Sequence, residues 1–416
     1  MLFSGMTDSA ASSTPRPSIK IAYIGGGSRY WARDLMKDLA LQAPFDGEIA
    51  LYDIDFPAAQ RNAEIGERIF DRADSCSTFK VSAVDSLKDC LIGADFVVLS
   101  IEPGPTECRY ADLEIPLKYG IIQPVGDSTG PGGILRGLRV ISTYTELAHQ
   151  IMAHCPNAWV INYTNPMTLC TRALYAAEPK IKAFGCCHEV FGAQHRLLKI
   201  AVDEFGADGA QRQDIIVDVI GVNHFTWITR AHYKGHDVLA KFQELAQNPD
   251  TYFDATEKSL ERIKDKKYFG GEYLVSHDLT RRFGAMAAAG NRHLVEFVPW
   301  YSGSEEVLHR WGVVCTPYEH RINSRKTDDK TMDSYSQEDI NPTGEEGVQQ
   351  MAAILGLGDL HTNVNMPNVG QAPALSAQAV VETNALFSRD SVLPTVARPL
   401  PAGANHLVQR VIEVQE

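Results

Sequence analysis

The stretch IKIAYIGGGSRY, residues 19–30, decides the fold of the first half of the chain. Its apolar run predicts a buried strand, and the three glycines predict a tight turn into a helix over residues 33–41. Glycines in such a turn let the backbone approach a dinucleotide pyrophosphate at a helix N-terminus. The predicted cofactor-binding residues of this turn are Gly25, Gly26, Gly27 and Ser28.

Asp53 follows the second predicted strand, residues 48–52. A carboxylate at this point accepts hydrogen bonds from a ribose diol and disfavours a 2′-phosphate, so it predicts NAD rather than NADP. The G-x-G-x-x-G pattern is only partly met, because Tyr30 occupies its last position. The alternative is a glycine-rich turn that binds nothing, with Asp53 acting only as a cap.

Four more short apolar runs follow, separated by helical patterns, at residues 79–81, 96–101, 159–162 and 182–185. Near-continuous apolar strands that alternate with helices predict a parallel sheet covered on both faces. The predicted fold class is therefore α/β, with a Rossmann-type doubly wound parallel sheet. This NAD-binding domain is assigned to residues 18–185.

The second half is predicted as a mixed α/β domain, residues 186–416, that carries substrate contacts. Strong strand patterns occur at residues 214–222 and 227–233, and polar insertions interrupt the helical stretches that follow. Residues 1–17 are rich in Ser, Ala and Pro and lack the basic start and apolar core of a signal peptide. They are predicted to form a disordered leader.

Composition narrows the class of function. The net charge of −13 argues against nucleic acid or an anionic membrane surface as partner, since both repel an acidic protein. The chain contains no apolar run long enough to span a membrane. Its eight cysteines are scattered rather than spaced as a disulfide framework, which predicts a reducing, cytoplasmic location.

A metal site is suggested by two residues that each follow a predicted strand. Cys187 comes just after the strand at residues 182–185, and His224 follows the strand at residues 214–222. Strand ends face the ligand crevice of a doubly wound sheet, and thiolate and imidazole both bind metals. The alternative is a core cysteine and a hydrogen-bonded core histidine.

These motifs together resemble glycoside hydrolase family 4, and the resemblance runs over nearly the whole chain from about residue 18. It is carried by IGGGS at 24–28, LYDID at 51–55, NYTNP at 162–166, CHEV at 187–190 and GVNH at 221–224. The CHEV version, with GDSTGPGG at 126–133, resembles the bacterial α-galacturonidases of the family.

The resemblance implies hydrolysis of α-galacturonides by redox-assisted elimination, with NAD and Mn²⁺ or another divalent cation as cofactors. NAD⁺ oxidises C3 of the sugar, a base removes the acidified C2 proton, and the glycosidic bond breaks. Water then adds, and the hydride returns to C3. Cys187 and His224 would hold the metal. The family also suggests a homo-dimer or tetramer.

Further roles follow from the resemblance. Asn165 is expected to contact the sugar or its metal-bound hydroxyls. His188 is a candidate for contacting the sugar or assisting the leaving group, and its alternative role is a supporting hydrogen bond. Glu189 is a candidate general acid, but it could equally orient His188 or cap a helix. The base is left open between a tyrosine and Asp127.

A uronate needs a cation for its carboxylate, for which Arg109, Arg136 and Arg292 are candidates. Asn291 precedes Arg292 at a position where relatives often carry Asp, and an amide cannot take a proton at neutral pH. Either the base lies elsewhere or the chain is impaired.

Three alternatives remain at this point. One is a different family 4 specificity, α-glucuronidase or α-galactosidase. The second is an ordinary NAD-dependent dehydrogenase of the lactate or malate kind, which would not need Cys187. The third is a catalytically silent, NAD-binding sensor, which the residue at Asn291 keeps open.

Overall fold

The computed structural model describes residues 16–416, apart from residues 103, 253 and 328–339. Residues 1–15 of the predicted leader therefore lie outside the described residues. Arg16, which the prediction assigned to the leader, is anchored to the fold. Its guanidinium donates to the carbonyl of Cys76 at 2.6 Å and lies 3.2 Å from the carboxylate of Asp46.

Strands and helices alternate through the first half of the chain. Their bounds are β1 (Ser18–Ile24), α1 (Trp31–Gln42), β2 (Asp46–Tyr52), α2 (Phe56–Phe70), β3 (Phe79–Val84), α3 (Leu87–Leu91), β4 (Phe96–Leu99), α4 (Thr106–Leu117), α5 (Gly130–His154), β5 (Trp159–Asn162), α6 (Met167–Ala177), β6 (Lys182–Gly185) and α7 (Glu189–Phe205).

The second half has no such alternation. Its described elements are β7 (Ile216–Val222), β8 (Phe225–Tyr233), β9 (His236–Asp237), α8 (Val238–Gln247), α9 (Thr256–Lys264), α10 (Leu274–Phe283), β10 (Met286–Ala287), α11 (Asn291–Phe297), α12 (Glu305–Arg310), α13 (Tyr318–Thr327), α14 (Gly347–Ile354), β11 (Leu360–Pro367), β12 (Val380–Ser388), β13 (Ser391–Pro394) and α15 (Ala402–Gln415).

The main sheet has nine strands in the order β13-β12-β11-β6-β5-β4-β1-β2-β3. The six strands from β6 to β3 are parallel, and their order reverses between β1 and β4. Helices follow the strands on both faces, as the doubly wound arrangement requires. The predicted Rossmann-type α/β fold is confirmed.

Burial on both faces explains why the parallel strands carry continuous apolar runs. Along β1, Ile21 and Tyr23 belong to the core on one face of the sheet, whereas Ala22 and Ile24 belong to the core on the other. A strand with only one buried face would instead alternate apolar and polar residues.

Three antiparallel strands, β11 to β13, extend this sheet beyond β6, although they come from the carboxyl-terminal part of the chain. The sheet therefore crosses the predicted division at residue 185. Sequence patterns did not predict these strands, because polar residues interrupt their apolar character. Glu382, Thr383 and Asn384 are consecutive in β12, and all three are buried.

A smaller sheet, in the order β10-β8-β7 with β9 paired to β8, packs beside the first. The backbone N–H of Val219 in β7 donates to Oδ1 of Asn384 in β12 at 2.8 Å, which joins the two sheets. None of the helices among the described residues combines the length and apolarity needed to cross a membrane.

Candidate active site

The glycine-rich turn lies between β1 and α1, at the carboxyl edge of the main sheet. Gly25 has φ +94°, and a Cβ atom there would lie 1.9 Å from the carbonyl oxygen of Ser100. No side chain fits this position. The N–H of Gly27 donates to Oδ2 of Asp53 at 2.8 Å, so the end of β2 lies against the turn. The structure thus brings Asp53 and the predicted glycines together.

Asn62 supports this turn from α2 and was missed by sequence reasoning. Its side-chain amide donates to the carbonyls of Gly26 at 2.7 Å and Ser28 at 2.8 Å. Nε of Arg33 donates to Oδ1 of Asn62 at 2.9 Å, which fixes the orientation of the amide. The only available signal was a polar residue on the apolar side of a helix, three positions after Ala59.

Three side chains converge at the carboxyl edge of the sheet and form the cluster Asp127, His224 and His293. One ligand atom from each lies within 4.8 Å of the other two. The rings of His224 and His293 have centroids 3.7 Å apart, and Nδ1 of His224 lies 3.9 Å from Oδ1 of Asp127. Carboxylate and imidazole groups at this spacing suit a divalent cation.

His224 occupies the two-residue turn between β7 and β8. Its φ of +64° lies in the left-handed region, which non-glycine residues adopt at a cost of about 1–3 kcal/mol. Nδ1 of His224 lies 2.9 Å from the hydroxyl of Ser128. This contact occupies one ring nitrogen and leaves Nε2 for another partner.

The members of the cluster differ in their charge at neutral pH, because their pKa values are shifted. Burial opposes the ionisation of Asp127, but His224, His293, Arg109 and Arg136 outweigh it and hold the pKa of the carboxyl well below its usual range. Burial and the neighbouring His293 lower the pKa of His224 to about 4. At neutral pH the site therefore combines an ionised carboxylate with a neutral imidazole.

His293 is paired with Glu189. Oε1 of Glu189 lies 3.6 Å from Nε2 of His293, and its Oε2 accepts from the N–H of Gly290 at 2.6 Å. Burial disfavours a protonated His293, yet Glu189 and Asp127 raise its pKa above the usual value. Burial likewise opposes ionisation of Glu189, but His293 holds its pKa well below the usual range. An ionised Glu189 has no proton to donate, so the geometry favours an orienting role, toward His293 rather than His188.

His188 lies outside the cluster of Asp127, His224 and His293. Its Nδ1 is 2.6 Å from the carboxylate of Glu345, and its side chain is 51% exposed. This hydrogen bond raises the pKa of His188. Glu345 was missed because nothing local connects it with a residue so distant in the chain.

Cys187 follows β6, as predicted, but is not a member of the cluster of Asp127, His224 and His293. The thiol is buried, and burial together with Glu382 and Glu189 raises its pKa well above the usual value.

Next to Cys187 lies a buried polar group, here called the amide floor, which consists of Asn223, Asn363 and Glu382. The amide of Asn363 donates to the carbonyl of Cys187 at 3.2 Å and to Oε1 of Glu382 at 2.7 Å. The amide of Asn223 donates to Oε2 of Glu382 at 3.2 Å. Since Asn223 precedes His224, Glu382 connects the two predicted metal ligands.

The three predicted arginines have different partners. Arg136 pairs with Glu102, and its Nε donates to the carbonyl of Asn165 at 2.9 Å. Arg109 donates to the carbonyls of Val125 at 2.6 Å and Gly126 at 2.7 Å.

Arg292 donates to the carbonyl of Pro124 at 2.8 Å and to the hydroxyl of Thr316 at 2.5 Å. Arg109 and Arg292 therefore both contact the loop that leads into Asp127.

Two more charged residues border this loop and were missed. Oε1 of Glu296 accepts from the N–H groups of Val125 at 2.6 Å and Gly126 at 2.8 Å. Burial, together with Asp127, raises the pKa of Glu296 to about 7. Arg321 lies nearby on α13, where burial and the charges of Arg109 and Arg292 lower its pKa to about 10.

The remaining predicted residues, Asn165 and Asn291, are held by backbone groups. Oδ1 of Asn165 accepts from the N–H of Met167 at 3.2 Å. Oδ1 of Asn291 accepts from the N–H of Ser276 at 3.2 Å, and its amide donates to the carbonyl of Glu272. An aspartate could not make the second of these bonds unless it were protonated.

Comparison with known proteins covers nearly the whole chain. The sequence model of the family 4 glycosyl hydrolases matches residues 20–202, and that of their C-terminal domain matches residues 219–416. The alpha-galacturonidase of Thermoanaerobacter italicus is 46% identical over 94% of this chain and 85% of its own length. That of Thermoanaerobacterium saccharolyticum is 45% identical over 96% of this chain and 86% of its own length.

Solved structures agree with this fold. The crystal structure of lplD from Bacillus subtilis is 43% identical, with a TM-score of 0.87, and the match covers 96% of this chain and 91% of that one. The 6-phospho-beta glucosidase of Thermotoga maritima, solved with manganese, NAD⁺ and glucose-6-phosphate, is 22% identical. Its TM-score is 0.71 over 95% of this chain and 88% of that one, a likeness that concerns the fold alone.

Proposed function

The chain belongs to glycosyl hydrolase family 4, and we propose on this premise that it hydrolyses α-galacturonides with the help of NAD and a divalent cation. The family membership confirms the resemblance inferred from sequence. The observation that carries the substrate is that four relatives, 42–46% identical over at least 92% of this chain, are all named alpha-galacturonidase.

The residues of the glycine turn fit a dinucleotide. A backbone without side chains at Gly25, Gly26 and Gly27 stands before the N-terminus of α1, where N–H groups favour a pyrophosphate. We assign Asp53, which directly follows β2, to accept hydrogen bonds from a ribose diol. The adjoining Ser28 has its carbonyl fixed by Asn62.

The residues after β6 and β7 fit a divalent cation such as Mn²⁺. We assign its binding to Cys187 and His224, and Asp127 and His293 lie beside His224. The donor set of thiolate and imidazole, with a carboxylate at hand, suits a transition metal that keeps open positions. When bound, NAD⁺ supplies a reversible hydride acceptor and the cation a Lewis acid.

The carboxylate of the substrate is assigned to the arginines around residues 124–127. Arg292 and Arg109 reach this loop from α11 and α4, and Arg321 adds a third cation from α13. Guanidinium groups recognise carboxylates through paired hydrogen bonds. Arg136 is assigned instead to positioning Asn165, which contacts the sugar, because its charge is paired with Glu102.

Proton transfers are assigned to the cluster. Asp127 is ionised and stands in the site, so it is the candidate that accepts the C2 proton. His293, with a raised pKa, stabilises Asp127 once Glu189 has fixed its ring. His188 is assigned to the leaving group, and its hydrogen bond to Glu345 raises its pKa, which favours the protonated form.

The proposal also includes the cellular location and the oligomeric state of the protein. A cytoplasmic location is supported by the eight cysteines, all of which are free. We expect a homo-dimer or tetramer and no nucleic-acid or membrane partner. Another family 4 specificity, a lactate-type dehydrogenase and a silent sensor are the rival functions.

The test is cleavage of a chromogenic α-D-galacturonide by the purified full chain under reducing conditions. The metal is stripped first, and NAD⁺ and Mn²⁺ are added back separately and together. The matching α-D-galactoside, which lacks the carboxylate, is the control substrate. We expect cleavage of the galacturonide only with both additions, and no net NADH.

Stoichiometric NADH formation would instead support a dehydrogenase, and preferred cleavage of the galactoside would reject the uronide specificity. If the chain is silent, the Asn291→Asp variant decides. Activity gained by this variant would show that Asn291 disables the site, whereas a silent variant would reject the galacturonidase.

A further inference from the structure

An exposed aromatic ring covers one of the arginines assigned to the substrate carboxylate. Cζ of Arg292 lies over the ring of Phe269, 4.9 Å from its centroid. Phe269 belongs to the segment between α9 and α10, whereas Arg292 lies in the first turn of α11. Phe269 is 66% exposed, so one part of its ring contacts the guanidinium and the rest faces solvent.

The segment that carries Phe269 is held in place on both sides of the ring. On one side, the buried Tyr268 packs against His320 of α13, with ring centroids 4.7 Å apart. On the other side, the carbonyl of Glu272 accepts from the side-chain amide of Asn291. The residue that fixes this segment therefore immediately precedes the arginine that the segment covers.

The hydrogen bonds of Arg292 go to uncharged groups. Its guanidinium donates to the carbonyl of Pro124 and to the hydroxyl of Thr316. Its Nε is buried and has no hydrogen-bond partner in the part of the chain that the structure describes. Arg136 differs, because it pairs with the carboxylate of Glu102. An aromatic ring attracts a cation without neutralising it, so Arg292 retains a charge and an N–H group that a carboxylate would match.

A ring in this position favours an acidic sugar over a neutral one. It keeps water away from the guanidinium, and burial lowers the pKa of Arg292. Opposite charges attract more strongly where water is excluded, and salt screens them less. A sugar with a hydroxymethyl group in place of the carboxylate gains nothing from this environment, and it leaves the buried cation without a matching charge.

We propose that Phe269 is a specificity-determining residue, which covers Arg292 and thereby favours uronides over neutral hexosides. The inference rests on the proposed function, because it takes Arg292 as a ligand of the substrate carboxylate. It adds residues 268–272 to the site, which were not assigned a role from sequence. It also gives Asn291 a positioning role, since its amide binds the carbonyl of Glu272.

The experiment is calorimetric titration of the full chain, loaded with NAD⁺ and Mn²⁺, with D-galacturonate and with D-galactose. Each titration is run at an ionic strength of about 0.1 M and of about 1 M. Phe269→Ala uncovers Arg292, whereas Phe269→Tyr keeps an aromatic ring. Trp300→Ala is the matched control, because Trp300 is an aromatic residue that is 51% exposed and lies beyond the carboxyl end of α11.

We expect Phe269→Ala to bind D-galacturonate about 10–30-fold more weakly than the wild type, with nearly unchanged affinity for D-galactose. High salt should weaken D-galacturonate binding more in this variant than in the wild type, because water and ions reach the uncovered guanidinium. Phe269→Tyr and Trp300→Ala should bind D-galacturonate as the wild type does.

Two results would overturn this inference alone. One is wild-type affinity and salt dependence in Phe269→Ala. The other is an equal loss of affinity for both sugars, which would show a general disturbance of the site. A wild type that binds D-galacturonate no more tightly than D-galactose would instead reject the proposed uronide specificity, and this inference with it. Binding is measured without turnover, so a failure of the cleavage assay is distinguished from each of these results.

Discussion

In two buried regions of the active site, the pKa values of carboxyl groups are shifted in opposite directions. Asp127 faces histidines and arginines, and its pKa is held well below the usual range in spite of burial. In the amide floor, Glu382 accepts hydrogen bonds from two asparagine amides, and burial raises its pKa to about 7. Burial opposes ionisation in both places, so the neighbours decide the charge.

This difference suggests different roles for the cluster and for the amide floor. In the proposed function, the cluster of Asp127, His224 and His293 supplies the charge that proton transfer and cation binding need. The amide floor holds backbone and side chains in position with mostly neutral hydrogen bonds. The first two predictions below each alter one of these two environments, and the third concerns Glu296, which borders the loop that leads into Asp127.

The largest effect is expected from Asp127→Asn. The amide keeps the shape of the side chain but cannot accept the C2 proton, so kcat should fall by about 10²–10⁴-fold with little change in KM. The measurement is steady-state cleavage of the galacturonide. Asp89→Asn, at an exposed position on α3, is the control, and an unchanged kcat in Asp127→Asn would reject the proposed base.

A smaller effect is expected from Glu382→Gln in the amide floor. A glutamine places an NH₂ group against one of two asparagine donors, so the positions of Cys187 and His224 loosen. Affinity for Co²⁺ should fall by about 10–100-fold, the range for residues that support metal ligands.

The measurement for Glu382→Gln is Co²⁺ titration followed by absorption, because a thiolate ligand gives a charge-transfer band. We expect the same band at higher cobalt concentration, with an unchanged melting temperature for the metal-free protein. Loss of stability without loss of metal affinity would reduce Glu382 to a purely structural role. Absence of the band in the wild type would reject Cys187 as a ligand.

The smallest effect concerns the pH dependence of stability and Glu296, which accepts only backbone N–H groups. Its pKa rises from 4.5 to about 7 on folding, so the unfolded chain loses this proton first as the pH increases. The stabilisation is complete below pH 4.5 and lost as the pH passes about 7, at most about 3 kcal/mol.

Thermal unfolding of the metal-free protein between pH 5 and pH 8 measures this effect. Glu296→Gln cannot titrate, so its melting temperature should decline less over this window than that of the wild type, by about a few degrees. Equal slopes for the two proteins would show that Glu296 is already ionised in the folded state.

The amino-terminal half was predictable because its signals are local. Strands buried on both faces appear in the sequence as apolar runs. A turn with no room for a Cβ appears as a run of glycines. Motif resemblance similarly located Cys187 and His224 at the ends of strands. The family was identified from sequence for the same reason.

What only the tertiary structure decided is which distant residues meet. Asp127, His224 and His293 come from two loops and α11, and Glu382 reaches Cys187 only because β11 and β12 join the sheet beside β6. The hydrophobic periodicity of the sequence indicates whether a residue is buried, but it does not indicate which residues that residue contacts. The partner sets the charge of a buried group, and partners are determined by strand order and packing across the whole chain.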